Sequence, residues 1–443
     1  MEVLQRTANR GSVSTGPYQI DNSLKFERDN SESIVTTTQA AGNQKTWTFS
    51  AWIKRSRLDF DWDNIFGAGT AIIIFSEQDN LIVELYNGTT YKLITNRRFR
   101  DTAAWYHLVV MLDTTQGTAG NRVKIYINGV QETSLSTATY PPQDATFPLG
   151  GQGSSANWIQ LGRFYSGARH FSGYMADVYY LNGTAEDADA FGETDEDTGI
   201  WIPKAYTGSG YGTQGFHYKF DNASDLGEDS SGEGHNANQK NNITAADQAT
   251  DTPTNNFCTL NVLEPDTSNQ LTYTEGATKV TSLGDGPYPT SKGTFGVQNG
   301  KWYFELKAGT MNYSSQVGAV GLALPEHISA SYPHDNAGAY VYRSNGDKVT
   351  QGSTSSYGDA WSTNDIIGVA IDLDNNTLSF YRNNTSQGQA FTGLTDTYLP
   401  AIYADGTTIE ANFGGYTSFS ISSAASDSNN FGTFEYAPPT GYY

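Results

Sequence analysis

The chain has a single cysteine, Cys258, among its 443 residues. One thiol cannot build an internal disulfide framework, so packing must supply the stability. No apolar run approaches the roughly 20 residues of a membrane-spanning helix, and the N-terminus MEVLQRTANRGSVSTG lacks the apolar core of a secretory signal. Basic residues are also few, with 26 Lys and Arg against 47 Asp and Glu and a net charge of −21. Such a surface repels phosphates and anionic lipid, so we expect neither nucleic-acid binding nor membrane insertion.

Helical periodicity is nearly absent, whereas alternation of apolar and polar residues recurs along the chain. In VKIYING, Val123, Ile125 and Ile127 share one face, and WTFSAWI and WYFEL alternate in the same way. The 46 glycines fall mostly between such runs, and aromatic residues make up 13% of the chain. This pattern predicts an all-β protein of sandwich type.

Shifts in composition predict the order of domains. We expect an extended N-terminal arm at 1–17, a β-sandwich at 18–221, a polar connector at 222–256, a second β-sandwich at 257–415 and a C-terminal extended segment at 416–443. The connector has no apolar pattern, and a Pro-Pro pair favours extended backbone in the last segment. The arm is small, polar and basic, so we interpret Arg6 and Arg10 as anchors to a larger particle.

Several stretches resemble known families. TWTFSAWIKRS, WYHLVVMLD, VKIYINGVQ and IQLGRF…FSGYMADVYYLNG together resemble the laminin-G-like, concanavalin A-like lectin/glucanase family over about residues 20–220. GKWYFELKAG, VGAVGLAL, SYGDAWSTNDIIGVAIDLDNNTLSFYRNN, YLPAIYADG and IEANFG resemble a SPRY domain, in its order, over about residues 290–414. These resemblances imply two tandem β-sandwiches, a concanavalin A-like jelly roll followed by a SPRY-like sandwich, with Trp361 in the core.

The order of the two domains, the polar connector and the tail YAPPTGYY resemble structural proteins of tailed phages, particularly marine ones. The resemblance implies a non-enzymatic virion protein on the particle surface, either a tail-fibre component or a capsid decoration. Its expected partners are other virion proteins and host surface polysaccharide, and we expect a homo-oligomer. Relatives often continue past the Pro-Pro-Thr-Gly element, so an extension beyond Tyr443 stays open.

The stretch IDLDNNTLSFYRNN places Asp372, Asp374 and Asn376 at alternate positions, as calcium loops do. An EF-hand loop also needs Gly at position six and Glu at position twelve. Those positions hold Thr377 and Asn383, and the flanking residues alternate as strands do. We therefore interpret the stretch as a hairpin turn, expect no cofactor and find no support for a structural calcium ion.

No catalytic constellation is recognisable in the sequence. Laminarinase-like relatives of the first domain carry Glu-x-Asp-x-x-Glu on one strand, and this motif is missing, as are Gly-x-Ser-x-Gly and His-Glu-x-x-His. We predict a protein that is not an enzyme. Two alternatives stay open, namely a purely structural cement or spike without a ligand, and a polysaccharide depolymerase of laminarinase type.

Aromatic residues in loops are the remaining signal, because sugars stack on aromatic rings while polar neighbours bind the hydroxyl groups. The candidates for carbohydrate binding are Trp62, Tyr86, Asn157, Trp158, Tyr165 and Arg169 in the first sandwich and Tyr332, Tyr357 and Tyr403 in the second. The competing interpretation is that these side chains pack beneath loops or at subunit contacts.

Overall fold

A computed structural model describes residues 18–38, 42–58, 61–148, 157–164, 166–208, 210–263, 271–282, 289–311, 318–327, 338–404 and 406–443. Within these ranges the regular elements are β-strands and three short 3₁₀ helices, Ala119–Asn121, Ala188–Ala190 and Ala245–Asp247. The proposed anchors Arg6 and Arg10 lie outside the described residues. The chain divides into two compact units, whose described parts fall within Ser14–Asn255 and Asn256–Tyr443.

The first unit contains β1 (Ser23–Phe26), β2 (Ser33–Thr38), β3 (Thr46–Arg55), β4 (Asp63–Ala68), β5 (Ala71–Phe75), β6 (Asn80–Tyr86), β7 (Thr90–Arg98), β8 (Tyr106–Asp113) and β9 (Val123–Ile127). It continues with β10 (Val130–Gln131), β11 (Leu135–Ala138), β12 (Asn157–Leu161), β13 (Gly173–Asn182), β14 (Gly192–Thr194), β15 (Trp201–Pro203), β16 (Phe216–Tyr218), β17 (Gln239–Asn241) and β18 (Gln248–Ala249).

Sixteen of these strands form two large antiparallel sheets, and β14 pairs with β15 separately. Over the described residues, one has the order β10-β9-β8-β3-β13-β1-β18, with β16 also paired to β13, and the other has the order β11-β7-β6-β5-β4-β12-β2-β17. The core lies between them, because inward residues of both sheets form one apolar cluster. Val123, Ile125 and Ile127 belong to it, as the alternation of β9 predicts.

The segment predicted as a polar connector is part of the first domain. It supplies β17 and β18, one to each large sheet, and places Leu226 and Ala237 in the apolar core. The buried Asp251 accepts a hydrogen bond of 2.7 Å from Lys54 Nζ. The compact unit accordingly extends to Asn255 rather than ending at residue 221.

The second unit contains β19 (Leu271–Thr274), β20 (Lys279–Ser282), β21 (Thr290–Lys292), β22 (Lys301–Met311), β23 (Ala319–Ala323), β24 (Ala339–Arg343), β25 (Asp347–Thr350) and β26 (Ser353–Ser356). It continues with β27 (Ile366–Asp372), β28 (Thr377–Arg382), β29 (Thr385–Thr392), β30 (Leu399–Tyr403), β31 (Thr407–Asn412), β32 (Ala425–Ser426) and β33 (Thr433–Phe434). Its two main sheets have the orders β19-β20-β31-β22-β27-β28-β29 and β21-β30-β23-β24-β25-β26 within the described residues.

The hairpin β27–β28 forms where the sequence predicts it. Ile371, Leu378 and Phe380 are buried in the second core, as is Trp361. Asn376 has φ +58°, in the left-handed region that Asn tolerates better than most residues. The prediction of tandem β-sandwiches is confirmed.

The C-terminal segment folds back onto the second sandwich. Phe434 is buried, and β32 and β33 pair as a short hairpin. The Tyr303 amide donates to the Tyr443 carbonyl at 2.7 Å, and the Tyr443 amide donates to the Lys301 carbonyl at 3.1 Å. The segment at 416–443, predicted to be extended, therefore belongs to the second compact unit.

Candidate functional site

Two of the candidate glycan-binding residues meet on loops of the first domain. We call Trp62, Glu77, Phe164 and Arg169 the Trp62 cluster; they lie before β4, after β5 and after β12. The guanidinium carbon of Arg169 is 4.9 Å from the centroid of the Trp62 ring and 5.0 Å from that of the Phe164 ring. Trp62 Nε1 donates a hydrogen bond of 2.9 Å to Glu77 Oε1. Arg169 is exposed and Trp62 partly exposed, so both are accessible to a ligand.

Two hydrogen bonds from Asn64 fix the position of this cluster. The Asn64 amide donates to the Arg169 carbonyl at 3.2 Å, and Asn64 Nδ2 donates to the Arg163 carbonyl at 2.6 Å. Both bonds tie the loop after β12 to the beginning of β4. Arg169 has φ +53°, a conformation that costs a non-glycine residue about 1–2 kcal/mol. Such a conformation persists where surrounding contacts enforce it, so the ring and guanidinium are held in a defined arrangement.

A buried ion network adjoins Trp62. The next residue, Asp63, contacts the guanidinium groups of both Arg28 and Arg55, the latter at 2.8 Å. Arg55 also binds Asp79 at 2.8 Å. Arg55, Asp63 and Asp79 are buried and paired with one another, so their charges are not available to a ligand.

Two further candidates lie on the outward face of the sheet that contains β12. Trp158 of β12 and Tyr86 of β6 are each 43% exposed, whereas their neighbours Ile159 and Leu85 point into the core. Both aromatic residues lie at the end of the sheet opposite to Trp62, because β4 runs from Asp63 beside the Trp62 cluster to Ala68 at the other end.

The second domain exposes fewer candidate carbohydrate-binding aromatic residues than the sequence suggests. Tyr403 is 0% exposed and belongs to the core, so the structure removes it from the candidate ligand-binding residues. Tyr357 is half-buried against Tyr342 and Phe380, and its hydroxyl donates to the Gly388 carbonyl.

Three other candidates give no side-chain geometry. Tyr165 and Tyr332 lie outside the described residues, and Asn157 is described by its backbone position in β12. A role of these three residues in carbohydrate binding stays a prediction.

A polar cluster that sequence reasoning missed surrounds Asp177 in the first domain. Asp177 Oδ1 is 2.6 Å from His217 Nε2 and accepts a hydrogen bond of 2.9 Å from the Tyr18 hydroxyl. Burial, followed by the Asp177 charge, raises the pKa of Tyr18 well above its usual value, so this hydroxyl stays a donor. Linear spacing gave no signal, because 159 residues separate Tyr18 from Asp177.

The adjoining cavity is small. It measures about 80 Å³ and is lined by Asp177 together with Tyr18, Asp21, Lys219 and Asp221. Ligand sites for small molecules usually measure about 300–1,000 Å³. An apolar cavity beside Cys258 in the second domain measures about 70 Å³. Neither cavity has room for a sugar residue, so a surface site is the better candidate for recognition.

Clusters of metal-ligating side chains and long apolar helices are both absent from the described ranges. No group of three or more His, Cys, Asp and Glu side chains there is placed to hold a metal ion. In the same ranges there is no helix with the length and apolarity needed to cross a membrane.

Both domains match family models at the positions that the fold indicates. Residues 28–190 match the concanavalin A-like lectin/glucanases superfamily, and residues 301–416 match the SPRY domain. The chain carries a concanavalin A-like domain followed by a SPRY domain. The Trp62 cluster belongs to the concanavalin A-like domain, and the hairpin β27–β28 belongs to the SPRY domain.

Curated relatives cover about a quarter of the chain. E3 ubiquitin-protein ligase RKP of Arabidopsis thaliana is 34% identical over 128 residues, which are 27% of this chain and 10% of the ligase. Ran-binding proteins 9 and 10 of Danio rerio are each 29% identical over 119 residues, which are 26% of this chain and 20% of each relative. The chain thus spans about a tenth to a fifth of the length of these relatives.

Solved structures are similar at low sequence identity. The SPRY domain of human HERC1 is 19% identical, with a TM-score of 0.27, and the match covers 31% of this chain and 89% of that one. The TRIM65 PSpry domain is 15% identical, with a TM-score of 0.29, and the match covers 35% of this chain and 91% of that one.

Proposed function

We propose that this protein is a non-catalytic binding component of a tailed-phage particle, and that its concanavalin A-like domain recognises a glycan at the Trp62 cluster. The observation that carries the proposal is the exposed Trp62–Arg169 pair, which is fixed by hydrogen bonds to Glu77 and Asn64. A partly exposed indole offers a face for a sugar ring, and a neighbouring guanidinium offers several hydrogen-bond donors.

Several properties support a recognition role at a surface. Both described cavities are too small for a sugar, whereas the Trp62 cluster is open to solvent. The buried ions beside Trp62 give the loops a rigid base, and rigid positioning lowers the entropy cost of binding. The strongly acidic composition favours solubility and discourages contacts with nucleic acid.

Glycan binding is tested with the full chain on an array of bacterial surface polysaccharides. Trp62→Ala should weaken binding at least tenfold, which corresponds to about 1.4 kcal/mol. Trp158→Ala is the matched control, because it removes an exposed tryptophan at the opposite end of the same domain. Loss of binding in Trp158→Ala with retention in Trp62→Ala would move the site to the outward face of β12.

The alternative functions give different results in the same assay. A protein that binds no polysaccharide would be a structural cement or spike. Release of reducing ends from a bound polysaccharide would identify a depolymerase.

The place on the particle is tested separately. Antibody against the chain should label purified virions, and the protein should be present in a fixed number of copies per particle. Deletion of residues 1–16 should leave the folded body intact while abolishing its association with the particle. Assembly of the truncated protein onto virions would refute the anchoring role of Arg6 and Arg10.

A further inference from the structure

Arg169, beside the Trp62 ring, and Arg163, which follows β12, differ from three other arginines of this domain. Arg28, Arg55 and Arg100 each contact aspartate. Over the described residues, by contrast, Arg169 contacts the Trp62 and Phe164 rings, and Arg163 donates from Nε to Gln160 Oε1 at 2.6 Å. Neither of them pairs with a carboxylate in that part of the chain. The chain has a net charge of −21, so these two cations without acidic partners make this part of the surface locally positive.

The two aromatic rings leave the polar edge of the Arg169 guanidinium accessible. A guanidinium that lies against a ring face keeps its N–H groups in its own plane, and those groups match the oxygens of a carboxylate or sulfate. Arg169 is exposed, so water occupies these donors in the absence of a ligand. The rings also exclude water from one side of the cation, which strengthens its attraction for an anion.

His170 reports the same positive environment. Burial lowers the pKa of His170, and the nearby Arg163 and Arg28 guanidinium groups lower it further. The imidazole is therefore neutral at pH 7, and the positive charge at this site resides on the arginines. Arg28 is already bound by Asp61 and Asp63, which leaves Arg163 and Arg169 to meet a ligand.

We infer that the Trp62 cluster, extended by Arg163, selects an anionic glycan: its sugar ring packs on Trp62 while a carboxylate or sulfate group binds Arg169. This inference rests on the proposed glycan binding at the same cluster and adds the chemical class of the ligand. The acidic body of the protein repels polyanions in general, so binding depends on these two arginines and is confined to this site.

The test uses one polysaccharide in three chemical forms. Dextran, carboxymethyl-dextran and dextran sulfate share a backbone and differ in having no charge, carboxylates or sulfates. The full chain should bind one or both charged forms and should bind dextran at least tenfold more weakly. Binding to carboxymethyl-dextran rather than dextran sulfate identifies a carboxylate, and the reverse identifies a sulfate. Arg169→Gln should weaken charged-dextran binding at least tenfold, with binding by the wild type decreasing as salt rises.

Arg343→Gln is the charge-matched control, because Arg343 lies on β24 of the SPRY domain, and it should bind within twofold of the wild type. Circular dichroism should show an unchanged fold for Arg169→Gln, since the side chain is exposed. If Arg169→Gln binds charged dextran like the wild type, or if dextran binds as well as its charged forms, the inference is overturned. Loss of array binding in Trp62→Ala would still uphold glycan recognition in that case, whereas a chain that binds no glycan overturns both.

Discussion

At the scale of single residues, Asn376 and Asp372 illustrate how a turn can imitate a metal loop. Asp372 binds Lys301 at 2.8 Å and accepts hydrogen bonds from the Asn375 amide at 3.0 Å and from its side chain at 2.8 Å. Burial acts to raise the pKa of Asp372, but these bonds outweigh burial and hold the pKa below its usual value. Asp374 accepts from the Gly300 amide at 3.0 Å. The carboxylates that resemble calcium ligands are thus occupied in shaping the hairpin.

Substitution of Asn376 tests this interpretation. Asn376→Val should destabilise the SPRY domain by about 1–3 kcal/mol, because a β-branched residue is strained at φ +58°. Asn376→Gly should be destabilised less than Asn376→Val, since glycine adopts this conformation freely, while both variants lose the hydrogen bonds of the side-chain amide to the Leu394 and Leu373 carbonyls. Urea denaturation of the two variants measures the difference. Equal stabilities would contradict a role for Asn376 as the left-handed residue of the turn.

His107 links a single side chain to the pH dependence of stability. Trp201 Nε1 donates to His107 Nδ1 at 3.0 Å, so Nε2 carries the proton and donates to Ser50 Oγ at 2.9 Å. Complete burial lowers the pKa of His107 to about 3. Below pH 6.5 His107 is protonated in the unfolded chain but stays neutral in the folded domain. The contribution of neutral His107 to the free energy of unfolding is therefore complete above pH 6.5 and is lost as the pH falls towards 3.

The corresponding measurement is denaturation of the full chain at several pH values. Between pH 6.5 and 4 the wild type should lose stability in the concanavalin A-like domain, by an amount on the order of a few kcal/mol from this group. His107→Gln should be less stable at pH 7, because it loses the ring whose centroid lies 4.8 Å from that of Trp52. The variant should, however, lose less stability than the wild type on acidification. A variant whose stability declines as steeply as that of the wild type would refute the assignment.

At the scale of elements, long alternating strands were predictable and short ones were not. The alternation of β9 and of β27–β28 identifies the residues that enter each core. The strands β17 and β18 have three and two residues, which is too short for any periodic signal. The segment that contains them is held partly by charge, since Asp251 and Asp247 bind the buried Lys54 and Lys25. Hydropathy cannot show such partners.

Two of the four residues of the Trp62 cluster were predictable, but their assembly was not. Exposed aromatic side chains in loops indicated Trp62, and a polar neighbour in a loop indicated Arg169. Their contact depends on the bond between the Asn64 amide and the Arg169 carbonyl, which no spacing in the sequence indicates. Tyr403 was misplaced because it lies on β30, between β21 and β23 of its sheet, where its side chain is completely buried.

The C-terminal hairpin is an element that depends on one buried acid. Glu305 is 0% exposed and accepts hydrogen bonds from the backbone amides of Glu435 at 2.9 Å and Tyr436 at 2.8 Å. In Glu305→Ala these two amides lose their acceptor, which costs about 1–3 kcal/mol for each group that stays buried. Glu305→Gln keeps one acceptor oxygen and serves as the milder control.

Chymotrypsin reports the release of this hairpin, because the segment after residue 415 contains Phe and Tyr but no Lys or Arg. Cleavage after Phe434 or Tyr436 should be at least tenfold faster in Glu305→Ala than in the wild type, with Glu305→Gln between them. Intact mass measures the rate. Equal rates for all three proteins would show that packing of Phe434, rather than Glu305, retains the segment.

At the scale of the whole molecule, the two compact units set the domain boundaries. Each unit has its own apolar core, and the first core includes residues beyond 221, among them Leu226 and Ala237. A chain of residues 14–221 lacks β17, β18 and the carboxylate of Asp251 that contacts Lys54. Removing one partner of a buried ion pair costs about 3–5 kcal/mol, which is a large part of the stability of a typical domain.

We therefore expect residues 14–255 to fold as a separate domain and residues 14–221 to aggregate or to remain partly unfolded. Circular dichroism melts and size-exclusion chromatography of the two fragments measure the difference, and the full chain provides the reference melt. Asp251→Asn in the longer fragment keeps the shape of the side chain while weakening its attraction for Lys54, so it should melt between the two. A cooperative melt of residues 14–221 at the temperature of the longer fragment would show that β17 and β18 contribute little. The domain boundary would then return to the position that composition predicts.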